Sequence, residues 1–310
     1  MKLGISLQIA AQVLLVSSQA VAASSVQTGS SARPHAYDTE STQTNSDKVS
    51  PTAPLGELSF RLSDGYLISV EGQIGTQTHL KFILDTGASI SMVDSKIADR
   101  LKLKRLSTES FNFDRKLTWE QAAFPEVRFG PNRATNIVML VGHLAKYSEF
   151  ARNADAIIGL DLLRLSNFTV DYEVRKIIFY SLAQATAAPP NNPLSKFLFL
   201  EILIQGHPVR LIVDTGFPGI LMFEERLLTS VPDLTLTDAA LNVTMGRRLH
   251  AKQTTLYGVV IGPTRRDISV FLTRAPSTDV PPGIVGVVGI TALNARRVYF
   301  NFPERSLTWE

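Results

Sequence analysis

Apolar and polar positions alternate in short runs along most of the chain, and few runs show the wider spacing of an amphipathic helix. Leu58, Phe60 and Leu62 alternate with Ser59, Arg61 and Ser63, which is the period of a strand. Leu67 to Val70, Asn136 to Val141, Phe168 to Tyr172, Lys176 to Tyr180, Phe197 to Ile204, Ile268 to Leu272, Val298 to Phe302 and Ser306 to Trp309 read the same way. Four runs are continuously apolar: Phe82-Ile83-Leu84, Ala156-Ile157-Ile158, Leu211-Ile212-Val213 and Val287-Val288. Such runs predict strands buried on both faces. Two hairpins are expected, over 110–128 with a turn near Asp114-Arg115-Lys116, and over 243–255 with a turn at Met245-Gly246-Arg247. Helices are short: Asp94 caps one that carries Ile97, Ala98 and Leu101 on one face, 160–165 makes a helical turn, and 224–228 is helix-like. The class is all-β with a few short helices.

The pattern runs twice. His79 to Leu84 delivers Asp85-Thr86-Gly87, and Val209 to Val213 delivers Asp214-Thr215-Gly216. Asp85 lies 74 residues before Gly159 (159 − 85), and Asp214 lies 75 before Gly289 (289 − 214). Each glycine follows a pair of branched apolar residues. Beyond them the register holds: Val170 matches Phe300, Asp171 matches Asn301, Arg175 matches Arg305 and Phe179 matches Trp309. This spacing predicts an internal duplication, with a first lobe over 55–182, a linker over 183–195 and a second lobe over 196–310.

Each buried strand ends in a carboxylate, and an unpaired buried charge is expensive. Such a group is neutralised, hydrogen-bonded or used for chemistry. Two on matching platforms point to one shared site. An apolar strand, Asp-Thr-Gly, and an apolar-apolar-Gly segment some 75 residues on resembles one lobe of a retropepsin-like aspartic protease. Two such lobes in one chain resemble the pepsin plan at the lobe length of retroviral-like and bacterial aspartyl proteases. The resemblance covers 56–310. It implies a two-lobed acid-protease fold, and an endopeptidase in which a water between Asp85 and Asp214 hydrolyses an extended polypeptide without cofactor or metal. It also implies roles for the motif residues. Gly87 and Gly216 let the backbone approach the carboxylates. Thr86 and Thr215 bond across the lobes, and Ser89 bonds the outer oxygen of Asp85. Ile157-Ile158-Gly159 and Val287-Val288-Gly289 pack beneath the aspartates. Trp119 and Met245, in the two expected hairpins, are candidate flap residues that touch substrate; packing within its hairpin is the other reading of Trp119.

The second motif departs from the first. Pro218 stands where the first has Ser89, so Asp214 lacks a hydroxyl partner. That keeps a second reading open, a weakly active or inactive pseudo-protease that binds peptides. A third reading, a lobe that must dimerise, is disfavoured because one chain supplies both aspartates; a monomer is expected.

The ends and composition add context. Lys2, the apolar stretch from Leu3 to Val16 and Ala20-Val21-Ala22 read as a signal peptide over 1–22. The stretch is shorter than the ~20 apolar residues of a spanning helix. The expectation is therefore an exported protein, periplasmic or extracellular, without a stable membrane span. Residues 23–54 are rich in Ser, Thr, Gln and Pro and read as a disordered tether. With no cysteine, disulfides and thiolate chemistry are excluded. A net charge of +3 without clustered basic and aromatic residues argues against nucleic acid. The five histidines show no metal-ligand spacing. Asn167-Phe168-Thr169 and Asn242-Val243-Thr244 match the glycosylation sequon.

Overall fold

The structure, a computed structural model, describes residues 14–15, 53–112, 115–147, 150–182, 197–234, 252–274, 280–281 and 283–310. Apart from Leu14–Leu15, which pair with residues 111–112, the leader lies outside these. So do the linker, Asn242 and Met245.

The first half supplies strands β1 (Pro54–Ser63), β2 (Leu67–Ile74), β3 (Gln77–Leu84) and β4 (Met92–Asp94), then helix α1 (Ser95–Arg100). Next come β5 (Leu106–Asn112), β6 (Arg115–Phe129), β7 (Asn132–Gly142) and helix α2 (Leu144–Tyr147). It ends with β8 (Ala156–Ile158), helix α3 (Leu160–Leu163), β9 (Asn167–Asp171) and β10 (Lys176–Tyr180). The second half supplies β11 (Phe199–Ile204), β12 (His207–Asp214), β13 (Ile220–Phe223) and helix α4 (Glu224–Ser230). It closes with β14 (Lys252–Ile261), β15 (Thr264–Thr273), β16 (Ile284–Gly289), β17 (Arg297–Asn301) and β18 (Ser306–Trp309).

Two six-stranded barrels form with the same order. The first runs β2-β3-β8-β4-β7-β6 and closes where Ile74 of β2 meets Val127 of β6. The second runs β11-β12-β16-β13-β15-β14 and closes where Leu203 meets Val260. In both, the strand leading to the aspartate lies parallel to the short apolar strand leading to the glycine: Leu84 pairs with Ile158, and Asp214 with Gly289. Burial on both faces explains why these strands read as unbroken apolar runs. The duplication extends to turns. Gly130, at φ +54°, turns β6 into β7 and its Cα faces the ring of Phe179; Gly262, at φ +56°, does the same for β14 and β15 against Trp309. A side chain at either glycine would be strained and would meet the ring.

The two halves share one sheet. Its order is β1-β10-β9-β17-β18, and β9 and β17 pair antiparallel at its centre, with Phe168 opposite Phe300 and Val170 opposite Val298. The Phe168 and Phe300 rings lie 4.6 Å apart. Arg297 Nε donates to Asp171 Oδ2 at 2.6 Å across this junction. Asn167 is buried at 2% exposure, where its Oδ1 accepts the Phe302 amide at 3.0 Å. This sequon asparagine is part of the junction, out of reach of a glycan.

One expectation is corrected and another is untested. The expected turn at Met245-Gly246-Arg247 lies outside the described residues; Lys252 to Thr255, the expected end of that hairpin, open a ten-residue strand that turns at 262–263. The first hairpin is longer than expected, spanning 106–129 rather than 110–128, although Asn112 pairs with Arg115 around the expected turn. Helix α1 begins as expected, with Asp94 Oδ1 accepting the Lys96 amide at 3.1 Å. No helix among the described residues is long and apolar enough to cross a membrane.

Candidate active site

Each aspartate is the last step of a barrel strand before a tight turn, and the shared sheet sets the two turns against each other. Asp85 is 1% exposed and Asp214 fully buried. The threonines lock the turns reciprocally. Thr86 Oγ1 donates to the Val213 carbonyl at 2.8 Å and accepts the Thr215 amide at 3.1 Å. Thr215 Oγ1 donates to the Leu84 carbonyl at 2.7 Å and accepts the Thr86 amide at 3.1 Å. Four bonds, two in each direction, satisfy buried polar groups that no strand ladder reaches.

The glycines set the distance between the carboxyl groups. A Cβ on Gly216 would stand 3.0 Å from Asp85 Cγ, and a Cβ on Gly87 would collide with Asp214 Cγ. Each turn therefore lays bare backbone against the other half's carboxyl, which only glycine permits.

The two carboxyls are in contact but unequally supported. Asp85 Oδ1 accepts the Gly87 amide at 2.9 Å and the Ala88 amide at 3.2 Å. Asp214 Oδ1 accepts the Gly216 amide at 2.7 Å. Phe217, the counterpart of Ala88, directs its amide to the Asp214 main-chain carbonyl at 3.2 Å. Asp214 Oδ2 is buried and makes no hydrogen bond of normal geometry among the described residues, although the Gly87 amide and the Asp85 carboxyl both act on the Asp214 carboxyl. Its available hydrogen bond is to a proton held between the two carboxyls. Burial pushes Asp85 up to about 6, against the opposing pull of its bond to Asp214 and of the Gly87 and Ala88 amides. Burial first, then the charge of Asp85, hold Asp214 well above the ordinary carboxylate range. Both carboxyls are therefore pushed above the ordinary range and favour one proton between them, and the Ala88 amide, which acts on Asp85 alone, favours the charge there.

Ser89 stands half-buried beyond this turn, and Pro218 occupies its counterpart position. Trp119 is 3% exposed and packs with Ala88, Met92, Leu140 and Ile157, so it is a core residue of the first barrel rather than a surface of the hairpin tip. Met245 lies outside the described residues.

The sequence pattern missed the Ala88 amide and a polar group behind it. Ser91 Oγ donates to Asp161 Oδ1 at 2.6 Å and accepts the Gly159 amide at 2.9 Å. Ser91 N donates to Asp161 Oδ2 at 3.0 Å. A polar residue inside each of two apolar segments, Ile90-Ser91-Met92 and Leu160-Asp161-Leu162, was the available signal.

Residues 70–162 match the family model of aspartyl proteases. Among solved structures, the crystal structure of a retropepsin-like aspartic protease from Rickettsia conorii matches at 24% identity, covering 41% of this chain and 90% of that one, with a TM-score of 0.28. No curated protein matches the chain. Through the segment that carries Asp85 and runs to Gly159, the chain is similar to aspartyl proteases.

Proposed function

We propose that the protein is an aspartic endopeptidase whose catalytic residues are Asp85 and Asp214. The observation that carries the reading is the contact between two buried carboxyls of unequal proton affinity. The match of residues 70–162 to the aspartyl protease family model supports a protease in general terms; the division of labour follows from the support each carboxyl receives. Asp85, ionised, takes a proton from a water held between the pair. The resulting hydroxide oxygen bonds to the scissile carbonyl carbon. Asp214 gives its proton to the carbonyl oxygen as the tetrahedral intermediate forms. Collapse breaks the C–N bond; the Asp85 proton goes to the departing amine and the intermediate's hydroxyl returns its proton to Asp214. The substrate is a polypeptide in extended form, held by main-chain hydrogen bonds as an added strand.

The test is cleavage of a mixed peptide library by the purified protein. Asp85→Asn and Asp214→Asn are each expected to reduce kcat by roughly 10³-fold or more, because each removes a proton-transfer partner. Cleavage that survives both changes overturns the assignment.

The same reading takes the protein to be a monomer, since one chain brings both carboxyls, and to be exported after cleavage behind Ala22. The mass of the N-terminal peptide from the mature protein tests the second point: a first residue other than Ala23 contradicts it.

A further inference from the structure

We propose that Asp161 is a positioning residue for Asp85, an ionisable latch built into the first barrel and absent from the second. The proposal deepens the endopeptidase reading and rests on it. Asp161 is the second residue of helix α3, two residues after Gly159, and takes three donors at once: Ser91 N at 3.0 Å, Ser91 Oγ at 2.6 Å and its neighbour Leu162 N at 3.0 Å. Ser91 in turn takes the Gly159 amide, and the Leu160 amide donates to the Ala88 carbonyl at 2.8 Å. The segment tied down, 88–91, begins with the residue whose amide holds Asp85 Oδ1. Fixing that segment fixes one of the two bonds that keep the charge on Asp85.

The second barrel closes the same corner without a titratable group. In register, Ile220 replaces Ser91 and Thr291 replaces Asp161. There the Gly289 amide donates to the Gly219 carbonyl at 2.7 Å, and Thr291 Oγ1 donates to the Pro218 carbonyl. A hydroxyl bonded to a carbonyl is indifferent to pH. A carboxylate that receives three donors is not, because protonation turns one acceptor oxygen into a donor facing another donor. An asparagine has the same defect at every pH. Arg164 on the same helical segment is the charged group acting on Asp161. Strand β8 and residues 88–91, packed against α3, carry no titratable side chain.

Protonation of Asp161 in acid is therefore expected to release the 88–91 segment and add a second proton to the acid limb of the rate profile. The experiment compares wild type, Asp161→Asn and Ser91→Ala in kcat, KM, the pH profile and amide hydrogen exchange at Ser91 and Gly159. Both variants are expected to lose roughly 10- to 100-fold in kcat, as for a displaced catalytic group, with KM within about twofold. Asp161→Asn is expected to show a one-proton acid limb and faster exchange of the Ser91 amide. If Asp161→Asn does not fold, Ser91→Ala, which keeps the carboxylate and removes its hydroxyl donor, must still show the kcat loss and faster exchange at Gly159. A folded variant with wild-type kcat and an unchanged acid limb overturns the latch, even with a lowered melting temperature. Exchange needs no turnover: unchanged protection at Ser91 and Gly159 overturns the latch even if the wild type cleaves nothing, whereas absent cleavage by itself counts only against the endopeptidase reading.

Discussion

Asp85 and Asp214 occupy matching positions and still differ, because one of two matching amides also reaches the side chain. The Ala88 amide is shared between the Asp85 main-chain carbonyl and the Asp85 carboxylate, whereas the Phe217 amide bonds the Asp214 main-chain carbonyl. With Pro218 next in line, that turn has no further N–H to offer. Two consequences follow. First, the rate is expected to fall as pH drops through about 6, where Asp85 takes up its proton and the base is lost; kcat/KM against pH measures this. Second, both aspartates bind protons more tightly folded than unfolded. The protonated pair therefore favours the fold below pH ~4, and that favour is lost as pH rises through the folded values. Asp214→Asn removes the cost of ionisation and is expected to raise the melting temperature by several degrees at pH 7 to 8, with little difference from wild type below pH 4. Thermal melts at the two pH values check it; a variant less stable at pH 8 than the wild type contradicts it.

At the scale of elements, the turns matter more than the strands that lead to them. Thr86 and Thr215 each close two hydrogen bonds across the junction. Thr86→Val keeps the shape and strips both bonds, leaving the Val213 carbonyl and the Thr215 amide unpaired. A loss of about 2–4 kcal/mol in unfolding free energy is expected, from two groups at roughly 1–3 kcal/mol each; denaturant titration measures it. The apolar runs before the aspartates were legible because burial on both faces writes itself as an unbroken string of Phe, Ile, Leu and Val. Strands β4 and β13 were not legible, since three or four residues are too few to show a period. Barrel closure by Ile74 and Val127 was not legible either, because it depends on register between strands some fifty residues apart. Trp119 shows the same limit at the site: its position in a hairpin was readable, and the side to which it turned was not.

The whole molecule is two barrels joined by one sheet, with β9 against β17 at the centre and Phe168 stacked near Phe300. The equal spacing of the motifs carried this in the sequence. The unequal support of the carboxyls was partly written in Pro218, and its remainder lies in main-chain directions that side chains do not record. Because both carboxyls come from one chain, sedimentation at micromolar concentration is expected to give a monomer; a dimer that alone cleaves peptide contradicts the two-lobe account. The most direct measurement is the rate of peptide hydrolysis by the wild-type protein, Asp85→Asn and Asp214→Asn from pH 3 to 9. The account predicts turnover by the wild type with an acid limb near 6 and loss of turnover in both variants across the range. Equal turnover in all three, or a wild type inactive at every pH, contradicts it.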